Sequence, residues 1–281
     1  MNEPRVYKNS PFLFILMLLI FGVLFIGLVT AMGRDTWYIM IPFALAFGII
    51  FLVAMLSLTS KTIISDEEIS TQNLLGTKTL RWSEINQVSG WGHAIKLRDM
   101  DRNLTVAPSP QLPGYPEVIE WIGIKRPDLF SPMEYAEMSK SWAATAAFPI
   151  AGLAMLGLGA FLYTQTQSNG DTFFPVIFLV FVGLGFLIAT FTSIQAVSIE
   201  GNSIVIGYLF NQKTLLADEI ASVNLSYTQT RNGKNYFVAL YLTNKKTVRL
   251  SGLRPNLPVV YLVLKNWHRK NTGTNNSSSR L

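Results

Sequence analysis

The chain has 281 residues, 49% of them apolar and only 14% charged, with a formal net charge of +6 and no cysteine. Soluble domains carry about 25% charged residues, so the deficit argues against an ordinary water-soluble globule. The missing cysteines fit a reducing compartment and leave no thiolate to hold a metal.

Four stretches contain no Asp, Glu, Lys, Arg or His: Pro11–Met32, Trp37–Ser57, Ala143–Thr164 and Phe173–Ile194. As helices of about 1.5 Å per residue they reach roughly 32 Å, enough for a hydrocarbon core of about 30 Å. They predict four transmembrane helices in two hairpins. The first, with Arg5 and Lys8 before it and Val29-Thr30-Ala31 near its end, has some features of a secretory signal. Its apolar run is longer than a signal core of about 7–15 residues, and its counterpart lies in mid-chain, so it is read as a retained helix. Asp35, Thr36, Asp171 and Thr172 stand where they can cap the second helix of each hairpin, followed by the interfacial aromatics Trp37, Tyr38, Phe173 and Phe174. Arg34 is the single basic residue in the short connections Gly33–Thr36 and Gln165–Thr172, and the longer segments hold nearly all the others. Lys and Arg favour the cytoplasmic side. The expected topology is a multi-pass inner-membrane protein with both termini and both long segments cytoplasmic.

Those long segments repeat. Lys78–Val88 reads KTLRWSEINQV and Lys213–Val223 reads KTLLADEIASV, 135 positions later. Extended to Ile64–Val88 on Ile199–Val223, the register gives nine identities in 25 positions, among them Leu74/Leu209, Lys78/Lys213, Glu84/Glu219 and Ile85/Ile220. The second copy is longer by about seven residues, near Thr228–Tyr236, where Arg-Asn-Gly-Lys reads as a hairpin turn. Strands are expected at Thr62–Ser65, Glu68–Leu75, Thr77–Arg81, Glu84–Gly90, Ala94–Arg98 and Asn103–Ala107, with Phe237–Leu242 and Thr247–Leu250 in the second copy. Each copy closes with a Pro-initiated helix, near Pro116–Ile124 and Pro255–His268. The fold class is therefore membrane α+β: two helical hairpins and two small antiparallel β-sandwiches or open barrels, each ending in a helix. Between strands three and four of each copy lies a corner, Trp82-Ser83-Glu84-Ile85 and its counterpart Asp218-Glu219-Ile220. Leu80, Ile85 and Val88, with Leu215, Ile220 and Val223, are its core anchors, and Ser83 or Asp218 is the side chain expected to satisfy backbone N–H groups there.

With two-helix hairpins, short strands, this corner and a terminal helix, the chain resembles bacterial pleckstrin-homology-like membrane proteins, in two tandem copies. The resemblance covers nearly everything outside the tails and rests on architecture. It implies a seven-stranded sandwich with one C-terminal helix per copy, and it brings no catalytic residues.

The residues give no other chemistry. His93 and His268 are the two histidines, and no phosphate-binding loop, nucleophile elbow or metalloprotease motif occurs. No catalytic residue, metal or cofactor is expected. The spans lack the ionisable groups that ion and proton pathways need, while Ala143, Ala147, Ala151, Gly157-Leu-Gly159 and Gly183-Leu-Gly185 suggest close helix packing. Thr59–Lys140 carries nine basic and eleven acidic residues, net −2, whereas Ala196–Leu281 carries eleven and three, net +8. The excess includes Arg231, Lys234, Lys245, Lys246, Arg249 and Arg254. Three readings stay open for it: contact with anionic lipid headgroups, a solvated face with positive-inside bias, or docking on the acidic first copy. Against phosphoinositides stands the acidic charge of the turns Ser65-Asp66-Glu67-Glu68 and Glu200-Gly201-Asn202. Ser131-Pro132-Met133-Glu134 has capping-box spacing and predicts a linker helix carrying Glu134, Glu137 and Lys140 into the third span.

The expected domains are a leader and first hairpin (1–58), a first cytoplasmic module (59–130), linker helix and second hairpin (131–195), a second module (196–270) and a disordered tail (271–281). The function expected is non-catalytic: docking or scaffolding of a protein partner, or regulation, at the inner membrane. Trp82 and Trp91 are candidate anchors for a partner, though packing in the core or at the membrane edge suits them better. Sensing of anionic lipid through the basic second module is the alternative. Membrane lipids, a protein partner and possible self-association are expected, and no nucleic acid.

Overall fold

The computed structural model describes residues 3–31, 37–101, 103–165, 173–231 and 233–273. The chain folds as two compact units. The first comprises Met1–Gly90, Ala94–Leu129 and Gln229–Lys234; the second comprises Trp91–His93, Phe130–Thr228 and Asn235–Leu281.

In the first unit, strand β1 (Arg5–Lys8) precedes helices α1 (Pro11–Ala31) and α2 (Trp37–Leu58). Strands β2 (Lys61–Ile64), β3 (Glu68–Asn73) and β4 (Gly76–Arg81) follow. Together β1-β2-β3-β4 form an antiparallel sheet in that order. A 3-10 turn over Trp82–Glu84 leads to a second sheet, β5 (Gln87–Ser89), β6 (Lys96–Arg98) and β7 (Thr105–Val106). Helix α3 (Tyr115–Lys125) ends the unit. β2 alternates in burial, with Thr62 and Ile64 inward, the period-2 pattern of a strand with one buried face. In α3 the buried Tyr115, Val118, Ile119 and Ile122 fall at helical spacing, so one face seals the core. Pro116 suits the first turn of α3. Gly114 before it has φ +76°, and a Cβ there would sit 2.8 Å from the Tyr7 ring, so only glycine lets β1 and α3 meet this closely.

The second unit repeats the plan. Strand β8 (Glu137–Ser139) precedes α4 (Trp142–Gln165) and α5 (Phe173–Thr192). Strands β9 (Ala196–Glu200), β10 (Ser203–Gly207) and β11 (Gln212–Leu216) complete a sheet ordered β11-β10-β9-β8. After the 3-10 turn Ala217–Glu219 come β12 (Ile220–Thr230) and β13 (Gly233–Leu242), whose residues Gln229–Lys234 group with the first unit, then β14 (Thr247–Leu250) and α6 (Leu257–Thr272). Asn256 caps α6 by accepting from Val259 N at 3.0 Å. Unlike α3, α6 is buried without interruption from Leu257 to Leu264, so it is enclosed on every side over two turns.

Among the described residues the architecture is α+β with antiparallel sheets, seven strands and a closing helix per unit. α4 and α5 are long and apolar enough to cross a membrane; within α1 and α2 the described apolar stretches are Phe14–Gly27 and Ala44–Leu56.

Three expectations are corrected. No linker helix forms over 131–140, because Glu137–Ser139 pairs as β8 with β9, burying Met138 between exposed Glu137 and Ser139. The capping-box spacing at Ser131 is a local signal, and edge pairing to a strand almost sixty residues away overrides it. The leader is not separate from the first module either: Arg5–Lys8 pairs with Ile64–Lys61, so each helical hairpin is an insertion between the first two strands of a sheet. Finally, α6 runs through Thr272, two residues into the segment expected to be a disordered tail. Residues 274–281, the proposed caps Asp35, Thr36, Asp171 and Thr172, and Asn232 of the hairpin turn lie outside the described residues.

Candidate functional site

The repeated corner comes first because its residues recur. Glu84 Oε2 accepts from Arg81 N at 3.1 Å, and Glu219 Oε2 accepts from Leu216 N at 2.9 Å. The glutamates therefore satisfy the corner, and Ser83 and Asp218 stand exposed without a bond to it. The expectation for that pair is corrected: a short 3-10 turn brings its third residue back over its start, and a longer acidic side chain reaches the N–H. Leu80, Ile85, Leu215, Ile220 and Val223 are buried as anchors; Val88 is half-buried. We expect Glu84→Ala or Glu219→Ala to cost about 1 kcal/mol, read as a lowered Tm in detergent, with Gln largely neutral because its amide oxygen still accepts.

The closing helix ties down the same corner in both units, by different chemistry. Arg126 donates from Nη1 to Trp82 O at 2.6 Å and to Ile85 O, and its fork grips Asp128. That guanidinium holds the Asp128 carboxyl below its usual pKa. At the matching place His268 Nε2 lies 2.7 Å from Ile220 O, which requires the tautomer with hydrogen on Nε2. One residue earlier, Lys125 Nζ donates to Asp66 O at 3.2 Å while Trp267 Nε1 donates to Gly201 O at 2.8 Å. His93 also packs locally, its ring 5.8 Å from Tyr236; burial pushes its pKa down and pushes the Tyr236 phenol up to about 12. Among the described residues no three His, Cys, Asp or Glu gather as a metal site.

The six basic candidates are divided between the two units. Arg231 and Lys234 fall in the first unit, where Lys234 Nζ donates to Leu112 O at 3.2 Å and burial lowers its pKa. Lys245 and Lys246 occupy the exposed β13–β14 turn, Lys245 with φ +64°. Arg254 is exposed, and its backbone N–H donates to Ser139 O. Arg249 lies 4.9 Å over the Phe237 ring and lines a cleft.

That cleft belongs to the second unit and measures about 360 Å³. Its walls are Lys140, Thr192, Ser193, Ile194, Tyr208, Thr247, Val248, Arg249 and Ser251. It opens where α4 and α5 root in the sheet. Lys140 N donates to Gln195 O at 2.8 Å, and the Gln195 side chain reaches Thr145, Ser193 and Thr190. Thr192 and Ser193 spend their hydroxyl hydrogens on helix carbonyls, which leaves Tyr208, Thr247 and Ser251 as donors beside two cations. Among the described residues no carboxylate lines the walls, and burial lowers the Lys140 pKa. An anion in the cleft offsets that desolvation, because a nearby opposite charge favours the ammonium form. Two cations, free hydroxyls and no acid make a site for a phosphate-like group. Sequence reasoning missed Lys140 because it was placed on a linker helix; the signals available were the period-2 run Glu137-Met138-Ser139 and a base standing just before a charge-free span, as Lys8 does in the first copy.

Trp82 is buried and its Nε1 donates to Ser65 O at 3.1 Å, so it is a core residue; Trp91 is 89% exposed. No protein-family model and no curated protein matches the chain.

Proposed function

We propose that the chain is a non-catalytic, multi-pass membrane protein whose four apolar helices span the inner membrane and whose two pleckstrin-homology-like modules lie on the cytoplasmic side. In this reading the second module binds anionic phospholipid headgroups. The observation that carries it is the cleft of Lys140 and Arg249, free of carboxylates and set at the roots of two apolar helices. Those roots are where a phosphate plane lies when α4 and α5 cross a bilayer. The acidic turn Asp66-Glu67-Glu68 does not weigh against lipid, since it joins the far ends of β2 and β3, away from the helices. The seven-stranded plan with a closing helix supports the likeness to pleckstrin-homology modules. Docking of a protein partner, the function ranked first on sequence, draws on the exposed Trp91.

Two basic residues near an anionic leaflet give about 2 kcal/mol, roughly a 30-fold preference. The full-length protein is released from detergent in native mass spectrometry with equal amounts of phosphatidylglycerol and phosphatidylcholine. We expect the wild type to retain phosphatidylglycerol selectively and the Lys140→Glu/Arg249→Glu variant to lose the selectivity. Equal retention of both lipids by the wild type overturns the headgroup reading.

A further inference from the structure

Each unit carries an apolar hairpin tip at the end of the sheet where its helices are rooted. In the first unit the β3–β4 tip presents Leu74 at 61% and Leu75 at 79% exposure; in the second the β10–β11 tip presents Leu209 at 40% and Phe210 at 82%. Exposed pairs of this kind at matching places in a repeat are a surface feature that core packing does not explain. Strand register fixes their height. Lys61, three residues after α2 ends, pairs with Gln72, and Asn73 pairs with Gly76, so Leu74 and Leu75 form the turn two residues beyond Gln72. At about 3.3 Å per residue that is at most roughly 7 Å back toward the helix ends. In the second unit Ala196 pairs with Gly207 and Gly207 with Gln212, so Leu209 and Phe210 again form a tip two residues beyond the paired end. There Phe210 stacks on Phe191, in the last turns of α5, with ring centroids 5.4 Å apart. The tip and the apolar helix thus share one level.

Charge sorts along the same axis. From Ile69 to Ser83 and from Gly201 to Ala217 there is no acidic residue, and each hairpin carries one lysine, Lys78 or Lys213, three positions past Leu75 or Phe210 and exposed. Of the acids of these sheets, Asp66, Glu67, Glu68 and Glu200 occupy the opposite end, and Glu137 lies in mid-sheet, opposite Ser198 on the edge strand β8. An apolar tip flanked by a lysine whose stem can lie along lipid with its ammonium at the phosphates matches the interface of an anionic leaflet.

We infer that the Leu74-Leu75 and Leu209-Phe210 tips insert into the headgroup–acyl boundary of the cytoplasmic leaflet and hold each sheet end against the bilayer. The inference rests on the four-span reading, and the test separates the two. The chain has no cysteine, so single substitutions label uniquely. Full-length protein in phosphatidylglycerol-containing nanodiscs carries an environment-sensitive dye at Leu75→Cys or Phe210→Cys, with Glu67→Cys and Glu200→Cys as controls at the far sheet end and Leu19→Cys and Ile49→Cys within α1 and α2. We expect dyes at 75 and 210 to be quenched by lipid-borne nitroxides and to lose quenching by aqueous iodide, while those at 67 and 200 behave oppositely. Iodide access at 75 and 210 equal to that at 67 and 200 overturns the inference, as does shielding from iodide without nitroxide quenching, which means protein contact. If 19 and 49 also escape the nitroxides, the four-span reading has failed; if they are quenched while the tips stay wet, the tip inference alone has failed.

Discussion

Trp82→Ala lowers the stability of the first unit by about 3–5 kcal/mol, and adding Lys125→Trp restores a large part of that loss. The reason lies in how the two units fill one space. In the first, a large indole arrives from the corner and Lys125 stands on the helix; in the second, Ala217 occupies the corner and Trp267 arrives from the helix. Trp82 and Ala217 match in the repeat, and so do Lys125 and Trp267. Both indoles are buried, and each donates to a carbonyl of the turn between the second and third strands, Ser65 O or Gly201 O. A buried indole bonded to that turn is kept, while the element that supplies it and the carbonyl that accepts, one residue further on in the second unit, change. Removing Trp82 alone opens a cavity and leaves Ser65 O without its donor. Supplying an indole from position 125 refills that space along a route the second unit already uses. The swap also removes the Lys125–Asp66 ion pair, which is partly exposed and worth at most about 1 kcal/mol. The measurement is a double-mutant cycle on thermal unfolding in detergent, with hydrogen exchange at Ser65–Glu67 reporting the unit concerned. A double variant no more stable than Trp82→Ala shows that the two sites do not share one cavity.

The same pair illustrates what the sequence discloses. The repeat register, the strands that follow each hairpin and both closing helices were legible because their signals are local: period-2 alternation, turn residues and a proline at a helix start. β14 matches its expected bounds residue for residue, and α3 is longer by one residue at each end. The corner was legible as a place, but its hydrogen-bond chemistry was not. Whether Ser83 or Glu84 reaches the N–H of Arg81 depends on the turn being 3-10, which spacing alone does not specify. β1 and β8 were illegible for a different reason. Each is three or four residues long, and its partner lies more than fifty residues later, beyond a complete helical hairpin. Its stability comes from that remote pairing, so no window around Glu137 contains the cause of its conformation. Lys140 was lost with β8, and with it the cationic cleft. A count of charges found the excess in the second copy but could not show that Arg249 shares a cleft with Lys140.

Gly183→Leu drives α4 and α5 apart and destabilises the second hairpin by about 3 kcal/mol, at the upper end for overpacking. A Cβ at Gly183 would stand 2.9 Å from Leu156 Cγ and 3.0 Å from Gly152 O; a Cβ at Gly152 would stand 3.0 Å from Gly183 O. Two glycine backbones therefore meet, and a carbonyl cannot rotate away as a side-chain end can. Helices in lipid gain nothing from hydrophobic exclusion, so close backbone approach supplies their association. The small-residue run in the sequence pointed at this interface without identifying its members. Gly157 and Gly185 have open space where a Cβ would go, and Gly159 makes ordinary contact, so only Gly183 of the two glycine pairs is a notch, and its partner is Gly152. The first hairpin uses other means: Gly22, Gly27 and Gly48 face open space, and the Phe21 ring packs 4.9 Å from both Phe47 and Phe51. Gly185→Leu is consequently the matched control, adding the same side chain two residues away at little cost. Thermal melts of both variants in one detergent separate the outcomes, and equal melting of Gly183→Leu and Gly185→Leu means that α4 and α5 do not meet through Gly152 and Gly183.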